Sequence, residues 1–410
     1  MATQWTDHWA ARTQHLKASS IRELLKLTAR PEVISFAGGL PATETLPAQA
    51  IAEACDRILK TQADRALQYG PTEGYLALRG HIADMYRARG VPATADNVLI
   101  TTGSQQGLDL IGRVLIGKGT PVVTEAPTYI GALQAWLVSE PAMTGIPLDD
   151  DGMRIDLIDL NQRINLLYAL PNFQNPSGVS LSMERREKLV DMAHRERFVI
   201  IEDDPYRALR YSGEDLPALL EIEAARLGAN WDSDGRIIHL GTFSKIMAPG
   251  LRVGWVIAPT TALRMLALAK QGADLHSAML SQYIAEELLR EGIIEGNYPL
   301  LVRIYRERRD TMLAALEEHL TGLAEWTKPQ GGLFIWVKVP GVDAHDLLAK
   351  ALERNLAFVP GDNFFFDGRG RDAMRLNFSC MPPDRIREGV ARLGALLAEA
   401  RHEPLASPAR

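Results

Sequence analysis

Between about residues 95 and 260 the chain repeats one pattern: a short run apolar at successive positions, followed by a stretch with helical spacing. The runs are VLIT (98–101), PVVTEA (121–126), AMTGIP (142–147), NLLYAL (165–170), FVIIED (198–203), IIHLG (237–241) and VGWVIA (253–258). A strand with one face in water alternates apolar and polar residues; an unbroken apolar run belongs to a strand covered on both faces. Stretches such as SQQGLDLIGRVL, TYIGALQAWLV and SMERREKLVDMAHRE lie between the runs and supply the covering helices. The alternation predicts a three-layer α/β domain built on a mainly parallel, seven-stranded sheet.

The remainder follows another pattern. Residues 297–320 read as one long amphipathic helix, followed by strand-like LFIWVKV, AFVP and MRLNFS and by helices at about 343–354 and 384–400. That combination predicts a smaller α+β domain over 296–410, a large domain over 46–295, and an N-terminal segment, 1–45, packed beside the small domain and the active site. At 410 residues the chain has room for both domains. A net charge of -6 argues against a nucleic-acid binder, which carries a basic excess. No apolar run reaches bilayer-spanning length, and the N-terminus lacks the apolar core of a signal peptide. Cys55 and Cys380 form neither a disulfide framework nor a metal motif. The expectation is a cytoplasmic, reduced protein without a metal.

Five segments are candidates for chemistry. GRGRDA (368–373) has dinucleotide-type spacing but precedes a strand instead of opening a helix, so it reads as a glycine-rich turn. In ITTGSQQGLDLIGRVL a strand ends, Gly103 and Ser104 turn, and a helix begins; that suits a phosphate and a simple serine cap equally well. HLGTFSKIMAPGLRVGW brings Ser244, Lys245 and Arg252 together between two apolar strands, at a sheet edge where open α/β sheets bind ligands. Desolvation there would free the lysine amine for a Schiff base. Two further strands end in YALPNFQNPSG and VIIEDDPYRALRY; Glu202, Asp203 and Asp204 read either as a cation site or as helix caps.

In order along the chain, ISFAGGLP, LQYGPTEGYLALR, TTGSQQGLDL, PTYIGAL, PNFQNPSG, EDDPY, TFSKIMAPGLRVGW, GGLFIWV and MRLNFS resemble the fold-type-I aminotransferases that use pyridoxal 5′-phosphate (PLP), in particular the 2-aminoadipate and kynurenine aminotransferase group. The resemblance runs from about residue 20 to 395. It implies that Lys245 holds the cofactor as a Schiff base and then moves the proton at substrate Cα. Asp203 would pair with the ring nitrogen and keep it protonated. Asn175 and Tyr206 would bind the phenolic oxygen, and Tyr129 would stack on the ring. Ser104, Gln105, Ser244 and Arg252 would hold the phosphate, joined by Tyr69 of a neighbouring subunit, which makes the expected assembly a homodimer with shared active sites. Arg375 would grip the substrate α-carboxylate, against a plain strand-edge salt bridge as the alternative. Gly39 would let the N-terminal segment approach the substrate closely. Asn175-Pro176 would be a cis peptide. Arg22 would meet a distal carboxylate, with an ordinary surface charge as the competing reading.

The implied reaction moves an amino group between an L-α-amino acid and a 2-oxo acid in a ping-pong cycle. Glutamate and 2-oxoglutarate are the expected shared pair, with an acidic, aromatic or hydrophobic partner. The same cofactor supports β-elimination, decarboxylation and cyclisation, and Arg375 with a free Lys245 favours proton transfer at Cα. An effector-sensing domain of a helix-turn-helix regulator is the non-enzymatic alternative; the roughly 30 residues before ISFAGGLP leave no room for a DNA-binding module.

Overall fold

The computed structural model describes residues 5–16, 24 and 30–402. Its strands are β1 (Ile34–Ser35), β2 (Val98–Thr101), β3 (Pro121–Ala126), β4 (Ala142–Asp149), β5 (Gly152–Met153), β6 (Leu166–Ala169), β7 (Val199–Asp203), β8 (Ile237–Thr242), β9 (Gly254–Ile257), β10 (Glu325–Trp326), β11 (Phe334–Lys338), β12 (Leu356–Ala357), β13 (Val359–Pro360) and β14 (Ala373–Asn377). The large sheet has the order β2-β9-β8-β7-β6-β3-β4-β5. Strands β4, β3, β6, β7 and β8 run parallel, and β9 lies antiparallel between β8 and β2.

Alternation along the strands explains the unbroken apolar runs. Leu167 and Ala169 of β6, Ile200 of β7 and Trp255 and Ile257 of β9 enter one core. Leu166 and Tyr168, Ile201 and Val256 enter the other. Neighbouring residues point to opposite faces, so a sheet with a core on each side needs apolar residues at every position. One core is closed by α1 (Ala48–Thr61), α2 (Leu76–Arg87), α5 (Met183–Glu196), α6 (Leu219–Leu227) and α8 (Met279–Arg290). The other is closed by α3 (Ser104–Leu115), α4 (Ile130–Trp136) and α7 (Thr260–Gln271).

Eight strands form the sheet where seven were expected. The additional strand is β5, two residues paired antiparallel with Leu148 and Asp149 at the edge, too short to show any periodicity. The long helix α9 (Ile293–Leu320) begins four residues earlier than its amphipathic pattern, after Gly292 at φ 68°. The AFVP run divides into β12 and β13. An antiparallel sheet β10-β11-β14-β13 packs with α9, α10 (Ala344–Glu353) and α11 (Pro383–His402), and β1 adds parallel to β12, tying the segment before residue 45 to this part of the chain. GRGRDA is a turn before β14, with Gly368 and Gly370 both at positive φ.

Candidate active site

The C-terminal ends of β3, β6, β7 and β8 and the start of α3 open onto one cavity of about 390 Å³. Short segments carry the polar side chains there because each parallel strand ends at this edge. Lys245 and Ser244 follow β8, Asp203 ends β7, Tyr206 lies three residues on, and Asn175 follows β6. Ser104 and Gln105 open α3, Tyr129 precedes α4, Arg252 precedes β9, and Arg375 comes from β14. Gly39 closes the cavity from the N-terminal side.

Arg375 is buried. Its Nη1 donates to Asn175 Oδ1 at 2.9 Å, its Nη2 to the Ala37 carbonyl at 2.6 Å, and its guanidinium lies 4.2 Å and 5.0 Å from the Phe334 and Phe364 ring centres. No carboxylate among the described residues pairs with it, its Nε has no partner there, and burial draws its pKa down to about 10. The strand-edge salt bridge is therefore not what the structure contains. Asn175 lies beside Tyr206 in the cavity, and the Asn175-Pro176 peptide is cis.

Lys245 Nζ donates to the Gly39 carbonyl at 2.8 Å, and burial followed by the nearby Arg375 charge pushes its pKa down to about 8. A methyl group at position 39 would stand 2.8 Å from the Phe334 ring, so only glycine brings this carbonyl so close. The whole strap 37–40 is held by its carbonyls: Ala37 by Arg375, Gly39 by Lys245, Gly38 by Cys380 Sγ at 3.7 Å, and Leu40 by Ser379 Oγ at 2.6 Å and Cys380 Sγ at 3.2 Å.

Asp203 accepts a 2.7 Å hydrogen bond on Oδ2 from Tyr168, whereas its buried Oδ1 has no partner; burial raises the carboxyl to about 6. Glu202, on the opposite face of β7, accepts from Leu219 N (2.7 Å) and Leu220 N (3.0 Å) at the start of α6 and from His239. Asp204 accepts from Asn172 at 3.0 Å. The acidic triplet is thus split by strand alternation, and the capping alternative describes Glu202. Among the described residues no group of three or more His, Cys, Asp or Glu is placed to hold a metal.

Gly103 turns into α3 at φ 78°, and Arg252 lies against it, donating to the Thr102 and Pro249 carbonyls, both at 3.2 Å. Thr242 Oγ1 donates to Ser244 Oγ at 2.9 Å and accepts from Ser244 N at 3.1 Å. Gln105 Nε2 donates to the Gly131 carbonyl, and its Oε1 faces the Tyr129 hydroxyl at 3.4 Å. A helix start flanked by an arginine and two serines is a cup for a dianion.

The description "Aminotransferase class I and II" matches residues 31–393. The chain belongs to the class I and II aminotransferases. This aminotransferase is 43% identical over 405 residues to aromatic-amino-acid aminotransferase 1 of Thermococcus litoralis, covering 96% of the chain and 95% of that protein. The α-aminoadipate aminotransferase of Thermus thermophilus, solved with N-(5'-phosphopyridoxyl)-L-leucine, superposes with a TM-score of 0.90 at 40% identity, covering 97% of this chain and 99% of that one. A kynurenine aminotransferase of Pyrococcus horikoshii, solved with PMP, KYN and KYA, gives 0.91 at 39%, covering 98% and 99%.

The aminotransferase uses PLP, and its residues fit that group. The orphaned Oδ1 of Asp203 calls for a donor from the cavity, Arg375 lacks an anion, and the cup at α3 suits a phosphate. Of the remaining expected site residues, one was assigned to the neighbouring subunit's cavity and one falls outside what the structure describes. Tyr69 is 80% exposed and packs edge-on against His276 at 5.7 Å, outside the pocket of its own chain. Arg22 lies outside the described residues. Sequence reasoning missed Tyr168, the one side chain of the apolar β6 run that carries a hydroxyl, and the walls Leu40, Ile130, Gln134 and Phe334.

Proposed function

We propose that this aminotransferase runs a ping-pong cycle between an L-α-amino acid and a 2-oxo acid at the cavity around Lys245. One observation carries the reading: a buried guanidinium without a carboxylate partner, Arg375, lies in the same cavity as an amine, Lys245, whose proton is held weakly. Arg375 would bind the substrate α-carboxylate through a two-pronged contact and so orient the Cα–H bond. When bound, the cofactor supplies the electron sink for the pair left at Cα. Lys245 would attach the resting cofactor, then take the Cα proton and return it to complete the transfer. Asp203 would hold a proton on the ring nitrogen, Asn175 and Tyr206 would donate to the phenolic oxygen, and Tyr129 would cover the ring face. Ser104, Gln105, Ser244 and Arg252 would bind the phosphate.

We infer a homodimer in which Tyr69, exposed on its own chain, completes the partner's phosphate cup. Residues 46–295 would form the cofactor domain, with 296–410 the small domain and 1–45 closing over the site. Glutamate and 2-oxoglutarate are the proposed shared pair. Relatives named for aromatic amino acids, 2-aminoadipate and kynurenine support a partner with an aromatic, hydrophobic or acidic side chain. Leu40, Ile130 and Phe334 offer apolar walls, and Arg22 would meet a distal acid. A cytoplasmic setting agrees with free Cys55 and Cys380 and with the finding that no helix among the described residues is long and apolar enough to cross a membrane.

The test is spectroscopic. Protein loaded with PLP should show a visible absorbance band that changes when a substrate amino acid is added, and Lys245→Ala should abolish the band. Absence of both the band and the change in the wild type would sink the reading; a panel of amino donors read the same way ranks the substrates.

A further inference from the structure

We propose that Tyr168 is a positioning residue for the transfer reaction: it donates its buried hydroxyl to Asp203, holding that carboxylate ionised with its second oxygen aimed at the ring nitrogen. The inference rests on the assignment of Asp203 to that nitrogen made above.

The geometry comes from cross-strand placement. Tyr168 on β6 lies opposite Ile201 on β7, and Asp203 is two residues further along β7, on the same face. The O–O distance is 2.7 Å, and both side chains are buried. An ionised carboxylate only accepts hydrogen bonds, so Tyr168 is the donor. Burial holds the phenol well above its usual range, so it keeps its proton across the working pH. Its ring is fixed by Trp136, packed edge-on at 5.1 Å and itself anchored through Nε1 to the Leu108 carbonyl at 2.8 Å. Gly112 makes room for that indole: a methyl group there would stand 2.7 Å from it. One oxygen of Asp203 is therefore occupied by a rigid donor, and the other remains for the cavity.

The consequence concerns where one proton rests. Between Asp203 and a ring nitrogen, the proton stays on nitrogen when the carboxylate is weakly basic and shifts to oxygen when it is strongly basic. Burial makes Asp203 more basic, and the Tyr168 bond acts against it. The other charged or titratable groups that bear on Asp203 are Asp204 beside it, Glu125 on β3, Tyr206 at the cavity and, across β7, His239 on β8. Burial pushes Glu125 up to about 8, leaving it neutral at pH 7. Tyr168 is the one of these that donates directly to the carboxylate.

The test uses full-length protein loaded with PLP carrying 15N at the ring nitrogen, wild type and Tyr168→Phe, at pH 7. The wild-type shift should be that of a protonated ring. In Tyr168→Phe it should move toward the neutral-pyridine value, with kcat down about tenfold and KM within about twofold, the size expected for one hydrogen bond to a buried charge. An unchanged shift in Tyr168→Phe overturns the inference while leaving the Asp203 assignment intact. A neutral ring in the wild type overturns that assignment and the inference with it. Should Tyr168→Phe not fold, 3-fluorotyrosine at position 168 keeps the shape and donates more strongly; the 13C titration midpoint of the Asp203 carboxyl should then fall, and an unmoved midpoint rejects the idea.

Discussion

Arg375 rests on two aromatic faces and two oxygens, neither of which bears a full charge. A buried cation left in that condition gains most from an anion that arrives with the substrate. Arg375→Ala should lower kcat/KM for α-amino acids about a hundredfold or more, and should erase the preference for them over amines lacking the carboxylate; a retained preference would reject the assignment. Lys245 gives a pH dependence whose sign follows from its depressed pKa. Only the neutral amine attaches the cofactor, so the attachment rate should rise about tenfold per pH unit below about pH 8 and level off above it, as stopped-flow absorbance can follow. A rate that keeps climbing toward pH 10 would mean an unperturbed lysine. At this scale the sequence was readable where a polar residue ends an apolar run, as with Asp203, Asn175 and Lys245. Tyr168 was hidden because its partner lies 35 positions away and meets it only across two strands.

Among elements, α3 and β9 meet backbone to backbone beside the cup. A methyl group on Gly254 would stand 2.8 Å from the Gly103 carbonyl carbon and 2.8 Å from Ser104 N, both backbone atoms that cannot turn aside. Gly254→Ala should therefore push the start of α3 away from β9 and weaken cofactor retention about tenfold or more in equilibrium dialysis, whereas Gly250→Ala, with open space around it, should not. Burial of Leu108, Leu110 and Ile111, worth about 1.5–3 kcal/mol each, holds the rest of that helix in place. The seven apolar runs match the strands to within two residues at either end, and for six of them two-sided burial leaves the mark; β4, next to the edge, buries only Ile146. Strand β5 left none, since two residues cannot display a period, and the first turn of α9 preceded its amphipathic pattern because Gly292, not the pattern, sets its start.

For the whole molecule, the proposed dimer makes a prediction that needs no structure of the complex. Tyr69→Ala and Arg375→Ala chains should each be poorly active alone. If each site draws Tyr69 from one chain and Arg375 from the other, refolding an equal mixture should recover about a quarter of wild-type activity, since half the dimers are hybrids with one intact site. No recovery would place Tyr69 outside the partner's cavity. The overall architecture was legible from two patterns, unbroken apolar runs and the long amphipathic helix, because each reports its own packing. The strap at 37–40 was not, because what fixes it comes from residues more than 200 positions away. A ligand that claims Arg375 and Lys245 withdraws the grip on Ala37 and Gly39 while Ser379 and Cys380 keep hold of Gly38 and Leu40. Doorway and reaction centre thus share their latches: with Lys245 already committed to the resting cofactor, each substrate carboxylate that reaches Arg375 slackens one further rung of the four.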